Sequence, residues 1–277
     1  MAIETEDTQR GLASVARALV DQQAAEIIVA PQADRSGFWF GGGNMVETSE
    51  GARYLTGRYR NAGDSRTGLK MGERGLELVI FRPKGGPNGF ERTVTFTKAD
   101  LGYGDRDVLS IEGSALLWSE QRVELYISTE KSGIGYPSHL EEFRKPGTGV
   151  WSIDRLTATT VEGLADASVE PVLEASDPRV LHVKDPVVHI NGAGDTVLFF
   201  CTHPFSWSSS NSGYTVRPRG ETAFGPPVYD FFGRGFTWDV AATRVTDVLT
   251  IPASVTGESK DLNLAFYDGA ECLRPHD

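Results

Sequence analysis

The chain has 277 residues, 39% of them hydrophobic, enough to bury a substantial core as one large domain or two smaller ones. Its formal charge of −11 argues against nucleic acid, whose phosphates are held by clustered Lys and Arg, and leaves neutral sugars compatible. No cationic and apolar leader opens the sequence, no run approaches the ~18 apolar residues of a membrane span, and two cysteines make no disulfide framework. A cytoplasmic protein without a membrane partner is expected, although a sequence trimmed of its leader reads the same.

Residues 8–26 carry one helical pattern, with Leu12, Val15, Ala16, Leu19 and Val20 at three-and-four spacing. It predicts a helical extension over residues 1–30 whose apolar face packs on the outside of a main domain over residues 31–277.

The main domain reads as repeated strand pairs. In the first, Phe38 to Val46 is followed by Tyr54 to Arg60. Gly41-Gly42-Gly43 before Asn44 lack the helix and the Lys-Ser/Thr pair of a phosphate loop, and in a strand they mark a bulge or a close approach by a ligand or a neighbouring strand. Arg58 and Arg60 share a face. They read either as surface ion pairs with Asp64 or as arginines that hold a catalytic carboxylate or a sugar hydroxyl.

The second pair runs from Val108 to Leu116 and from Val123 to Ser128. Glu112 sits among Leu109, Ile111 and Leu116, where a charge is costly unless it is paired or faces a wet site. Tyr136, His139 and Lys145 in the following loop read as a site rim or as merely exposed.

The third pair is Leu181 to His189 and Thr196 to Cys201, joined by a Gly turn. Pro186 cannot donate to a ladder, which predicts a bulge, an edge or an exposed end at Asp185. His182, His189 and His203 near a carboxylate suggest a metal, but His182 and His189 are an odd number of residues apart and point to opposite faces of a strand, so no metal and no other cofactor is expected. His203 is expected to orient a carboxylate or bond a sugar hydroxyl, and Trp207 with Ser208 to Asn211 reads as a sugar-contacting loop. Arg217, Arg219 and Glu221 read as an exposed charged strand end.

A fourth unit spans Phe236 to Val240, Val248 to Ile251 and Asp261 to Tyr267. After the first three pairs, Thr67-Gly68, Thr148-Gly149 and Ser212-Gly213 open a third strand. With Asn44, Glu112, Asp185 and Asp239 taken as equivalent, the units recur at intervals longer than the ~40–50 residues of common propeller repeats, and the pattern suggests a β-propeller with long loops.

This outline, with Lys184-Asp185-Pro186 at its centre, resembles the five-bladed β-propellers of the arabinanase, levansucrase and invertase superfamily. That superfamily includes glycoside hydrolase families 43, 32 and 68 and the family 130 phosphorylases. The resemblance implies an all-β, five-bladed propeller of which four repeats are visible, the last incomplete because the chain is a fragment or because the ring closes on a partial blade. It implies a carbohydrate substrate and a carboxylate near the start of several inner strands.

Glycoside hydrolysis uses one carboxyl group to protonate the leaving oxygen and another to activate water or attack carbon. Glu112 is then expected as the general acid, Asp185 as the residue that orients it or tunes its pKa, and Asp239 or Asp34 as the base. Asn44, Arg58, Arg60, His203, Trp207 and Asn211 are expected to touch the sugar. Asn44 departs from the Asp of the hydrolase families and is similar to the phosphorylases, in which phosphate replaces the activated water; Arg58, Arg60 and Lys131 would then hold it. A non-catalytic sugar-binding propeller is the third reading. Neither the sugar nor the oligomeric state is readable.

Overall fold

The computed structural model describes residues 5–34, 38–59, 75–85, 89–119, 122–136, 138–143, 147–175, 177, 180–204 and 209–272. Apart from one long helix and a few short helical turns, the architecture is β, in four antiparallel sheets that follow one another along the chain. The first holds β1 (Phe40–Gly41), β2 (Met45–Glu47), β3 (Arg53–Tyr59), β4 (Glu77–Pro83) and β5 (Phe90–Thr97). β1 and β2 pair with successive parts of β3. The second holds β6 (Val108–Ser119), β7 (Arg122–Lys131), β8 (Val150–Ala158) and β9 (Glu170–Leu173). The third holds β10 (Val180–Ile190), β11 (Thr196–Pro204), β12 (Asn211–Arg217) and β13 (Val228–Phe232), and the fourth only β14 (Ala242–Ile251) and β15 (Leu262–Ala270).

The predicted hairpins fall on β6–β7, β10–β11 and β14–β15, and the Gly-opened third strands at Thr148 and Ser212 fall on β8 and β12. Thr67-Gly68 lies outside the described residues; the strand beside β3 is β4. Phe236 to Val240, expected as a strand, forms bends and turns, where the Gly235 N–H donates to the Asp239 carbonyl and closes the segment on itself; the β14 ladder begins only at Ala242.

Each sheet packs on the next, β2 and β3 on β6, β10 on β6 to β8, and β14 on β10 to β12. The middle strands are therefore buried on both faces. On β7, Val123, Leu125 and Ile127 join Leu78, Ile80 and Phe96 in the core between the first two sheets, while Tyr126 turns to Val183, Leu198 and Phe200 of the third. Glu124 shares that second face and is buried, and Arg217 satisfies it with two hydrogen bonds of 2.7 and 2.6 Å. Arg217 is thus a core ion-pair partner and not an exposed strand end.

The helix runs from Glu6 to Leu19, capped by Thr5, whose hydroxyl accepts from the Thr8 N–H. It is shorter than expected and none of its residues is buried; Val15, Leu19 and Val20 stay exposed, so the expected packing of its apolar face is not seen. Thr8 donates to Glu258 beside the fourth sheet. No helix among the described residues is long and apolar enough to cross a membrane.

Candidate active site

The first strand of each sheet is interrupted where it passes the same cleft. The β6 register slips between Ile111 and Ser114, the β10 register between Lys184 and Val187, and the β14 register between Val245 and Asp247, while β1 and β2 are separated by Gly42, Gly43 and Asn44. Bulges of this kind re-aim side chains. Here they turn Glu112 and Asp185 toward one cleft of about 390 Å³, lined also by Gly42, Gly43, Arg58, Gly113, Lys184, Pro186, Arg244, Thr246 and Asp268. Pro186 falls in the bulge, where its missing N–H costs no ladder bond. Asp185 adopts φ 54°, the one positive value of a non-glycine residue among those described. Gly113 is required opposite it: a Cβ there would stand 2.9 Å from both Cα and Oδ1 of Asp185.

Among the described residues the cleft holds three cations, Arg58, Lys184 and Arg244, and three carboxylates, Glu112, Asp185 and Asp268. Arg58 Nη2 donates to Glu112 Oε2, and both side chains are largely buried. Lys184 Nζ and Arg244 Nη1 stand 3.7 and 3.8 Å from Asp185 Oδ2, and the Cys201 thiol donates to the same oxygen at 3.3 Å. Burial pushes the Asp185 carboxyl up, but Lys184 and Arg244, the thiol and Arg58 outweigh it and hold Asp185 below the usual carboxylate range. Burial and the Asp185 charge push the Cys201 thiol up to about 12, which keeps it a protonated donor.

Asn44 lies in the gap between β1 and β2, but its side chain is bound to backbone: Nδ2 donates to the Leu116 carbonyl at 2.9 Å, and Oδ1 accepts from the Leu116 N–H at 2.7 Å. It clamps the first sheet to the second. Asp239 lies before β14, buried and outside the cleft, where its carboxylate accepts from the Tyr267 hydroxyl at 3.3 Å. The bulge on β14 belongs to Thr246 instead. Asp34 is exposed in a bend ahead of β1.

His203 is buried behind the cleft with its ring 5.9 Å from that of His182, and burial with Lys184 and Arg244 nearby pushes it well below the imidazole range. His182 Nδ1 accepts from the Trp151 N–H. Asn211 pairs with Thr202 in the β11–β12 ladder and does not line the cleft. Arg60 and Trp207 lie outside the described residues. Lys131 is fully buried, with Nζ donating to Asp154 at 2.5 Å and to Thr129 and Ser152 at 2.6 Å. Among the described residues no group of His, Cys, Asp and Glu is arranged to hold a metal ion.

Arg244 and Asp268 were not singled out from the sequence. They reach the cleft from β14 and from the facing part of β15, where Arg244 pairs in register with Asp268.

No protein-family model matches the chain, and no curated protein matches it in sequence. Solved structures do. A family 43 β-xylosidase/α-arabinofuranosidase from a compost microbial metagenome, crystallised with xylotriose in a calcium-free form, is 10% identical with a TM-score of 0.51, covering 88% of this chain and 81% of that one. A family 43_1 enzyme from Xanthomonas citri is 14% identical with a TM-score of 0.40, covering 62% of this chain and 42% of that one. A family 117 glycoside hydrolase from Zobellia galactanivorans is 10% identical with a TM-score of 0.42, covering 65% and 52%. The chain thus spans about half or less of the length of the last two. At 10% identity the likeness is one of fold: the chain is built like the family 43 β-xylosidase/α-arabinofuranosidase and shares little of its sequence.

Proposed function

We propose that the protein is a carbohydrate-active enzyme with a propeller-like arrangement of its sheets, and that it hydrolyses glycosidic bonds in the cleft between their first strands. The observation that carries this reading is the pair of bulges that turn Glu112 and Asp185 into one cleft from adjacent strands. Glycosidases need two carboxyl groups in different protonation states, and neighbours of unlike charge are what separate them.

Asp185, held low by Lys184 and Arg244, is the ionised partner that activates water or attacks the anomeric carbon. Glu112, largely buried on the neighbouring sheet, is the acid that protonates the leaving oxygen, a role it takes once the Arg58 guanidinium gives up its carboxyl group. Asp268 takes the place of Asp239 as the third carboxylate, against Arg244. Among the described residues the first sheet lines the cleft with Gly42, Gly43 and Arg58 and with no carboxylate, which favours phosphorolysis as the second reading.

The test is cleavage of a panel of aryl glycosides and oligosaccharides, with and without phosphate, by the wild type and by Glu112→Gln and Asp185→Asn. Phosphate-independent cleavage lost in both variants is the expected result. Cleavage that survives both substitutions would sink the assignment, and phosphate-dependent cleavage would move the chain to the phosphorylases.

A further inference from the structure

The segment that leads into β14 holds two exposed aromatic rings in a fixed frame: Phe236 is 98% exposed and Trp238 55%. The Gly235 N–H donates to the Asp239 carbonyl at 3.3 Å and closes the turn. The buried Asp239 carboxylate accepts from the Tyr267 hydroxyl and packs against Gly235, where an added Cβ would collide with it. The indole of Trp238 stacks on the Tyr267 ring, with centres 5.5 Å apart and planes at 26°. Its six-membered ring lies against Gly269, where a Cβ would again collide. Phe232 of β13 braces Tyr267 edge-on, with ring centres 4.8 Å apart. One face of the indole is therefore held, and the other is left open. Large apolar groups that a fold fixes in place and yet exposes mark a contact surface.

The same frame places the rings beside the cleft. Gly269 follows Asp268, and the segment runs into β14, whose Arg244, Val245 and Thr246 line that cleft. Phe232 and Tyr267 bridge the third sheet to the fourth, the two sheets that supply Asp185, Arg244 and Asp268. We infer that Trp238 and Phe236 form an aromatic platform for sugar units that extend beyond the cleft, so that the substrate is an oligosaccharide and not the glycoside of a single sugar. The inference rests on the hydrolase reading above and extends it to substrate class. A pyranose has an apolar face of C–H groups and a polar rim of hydroxyls. A flat ring open on one side covers the C–H face and leaves the hydroxyls in water, so no polar group is stripped of its partners. A ring already held in place also loses little conformational freedom on binding. A protein partner fits less well: two aromatic side chains offer ~150–250 Å² each, well short of the ~800 Å² per partner of a stable interface.

The test is calorimetric titration of the Glu112→Gln protein, in which the hydrolase reading stops turnover, with gluco-, xylo- and manno-oligosaccharides from monosaccharide to pentasaccharide. It is repeated with Trp238→Ala, Trp238→Phe or Phe236→Ala added. The Phe236 side chain is almost wholly exposed, so its removal leaves the fold intact, and circular dichroism checks Trp238→Ala. Affinity is expected to rise about tenfold or more with chain length in at least one series, with the rise lost in Trp238→Ala, reduced in Phe236→Ala and largely kept in Trp238→Phe. A rise that survives both alanine variants would overturn the platform and leave the glycosidase reading standing. So would affinity that does not grow with chain length. A wild type that sediments as a dimer, with Trp238→Ala a monomer, would assign the rings to an interface between copies and overturn the platform as well. Binding of no saccharide would overturn it too, and the cleavage panel then judges the glycosidase reading separately.

Discussion

Replacing Arg217 by Met removes the bidentate partner of Glu124, a carboxylate only 2% exposed between the second and third sheets. Breaking a buried pair at one end costs about 3–5 kcal/mol, because the remaining charge has no solvent to turn to. Arg122 and Arg155 stay at 3.4 and 3.5 Å from Glu124 Oε1, so the lower end of that range, about 3 kcal/mol, is expected. For a domain of this size the melting temperature would fall by on the order of 10 °C. Urea unfolding followed by tryptophan fluorescence measures the loss as a lower midpoint at unchanged slope.

Burial pushes the Glu124 carboxyl up, but the Arg217 hydrogen bonds and charge, with Arg122 and Tyr126, outweigh it and leave the group below its ordinary value. A depressed carboxylate contributes stability that is complete above its unfolded pKa of about 4.3 and is lost as pH falls through the folded value. The gap between wild type and Arg217→Met should therefore be full at neutral pH and narrow below about pH 4. The double variant Arg217→Met/Glu124→Leu should recover most of the loss, since a buried pair replaced by apolar groups of similar volume is often neutral. A single-variant cost under about 1 kcal/mol, the range of exposed pairs, would refute the reasoning.

Asn44→Ala leaves the Leu116 N–H and carbonyl without their side-chain partner, and should cost about 1–3 kcal/mol in urea unfolding while leaving sugar affinity unchanged in calorimetry. Native protein treated with a thiol reagent should react at the exposed Cys272 and spare Cys201, whose buried thiol lies near 12, with both reacting after unfolding. Because Asp185 is held below the usual carboxylate range, the acidic limb of kcat/KM should fall below about pH 4 in the wild type. Arg244→Gln, which removes one of the charges that depress Asp185, should move that limb upward. An unmoved limb would mean that Asp185 is not the ionised catalytic group.

Much of the strand order was legible because an apolar run bounded by Gly turns has few other structures open to it. The β10–β11 hairpin, β6–β7 and the Gly-opened β8 and β12 follow from alternation and turn chemistry alone. Asp185 announced itself because a proline inside a strand forces a bulge, and Glu112 because a charge in an apolar run needs a partner. The same reasoning failed at Asp239, where aromatic residues that read as a strand form turns, and with it went the assumed equivalence to Asn44. It failed at Arg217 because a charged strand end gives no local sign of whether a neighbouring sheet will cover it.

The sequence by itself determined the periodic strands, the bulge-forming residues and the acidic, sugar-compatible character of the chain, since these depend on neighbours within a few positions. Only the tertiary structure decided which charges meet. Arg58, Glu112, Asp185, Arg244 and Asp268 come from five different strands of four sheets, and what brings them together is the packing of each sheet on the next. The pairing of Arg58 with Glu112, the constraint of Asn44 by Leu116 and the depression of Asp185 are through-space effects that fall off within a few ångströms. No local pattern in the sequence encodes those distances.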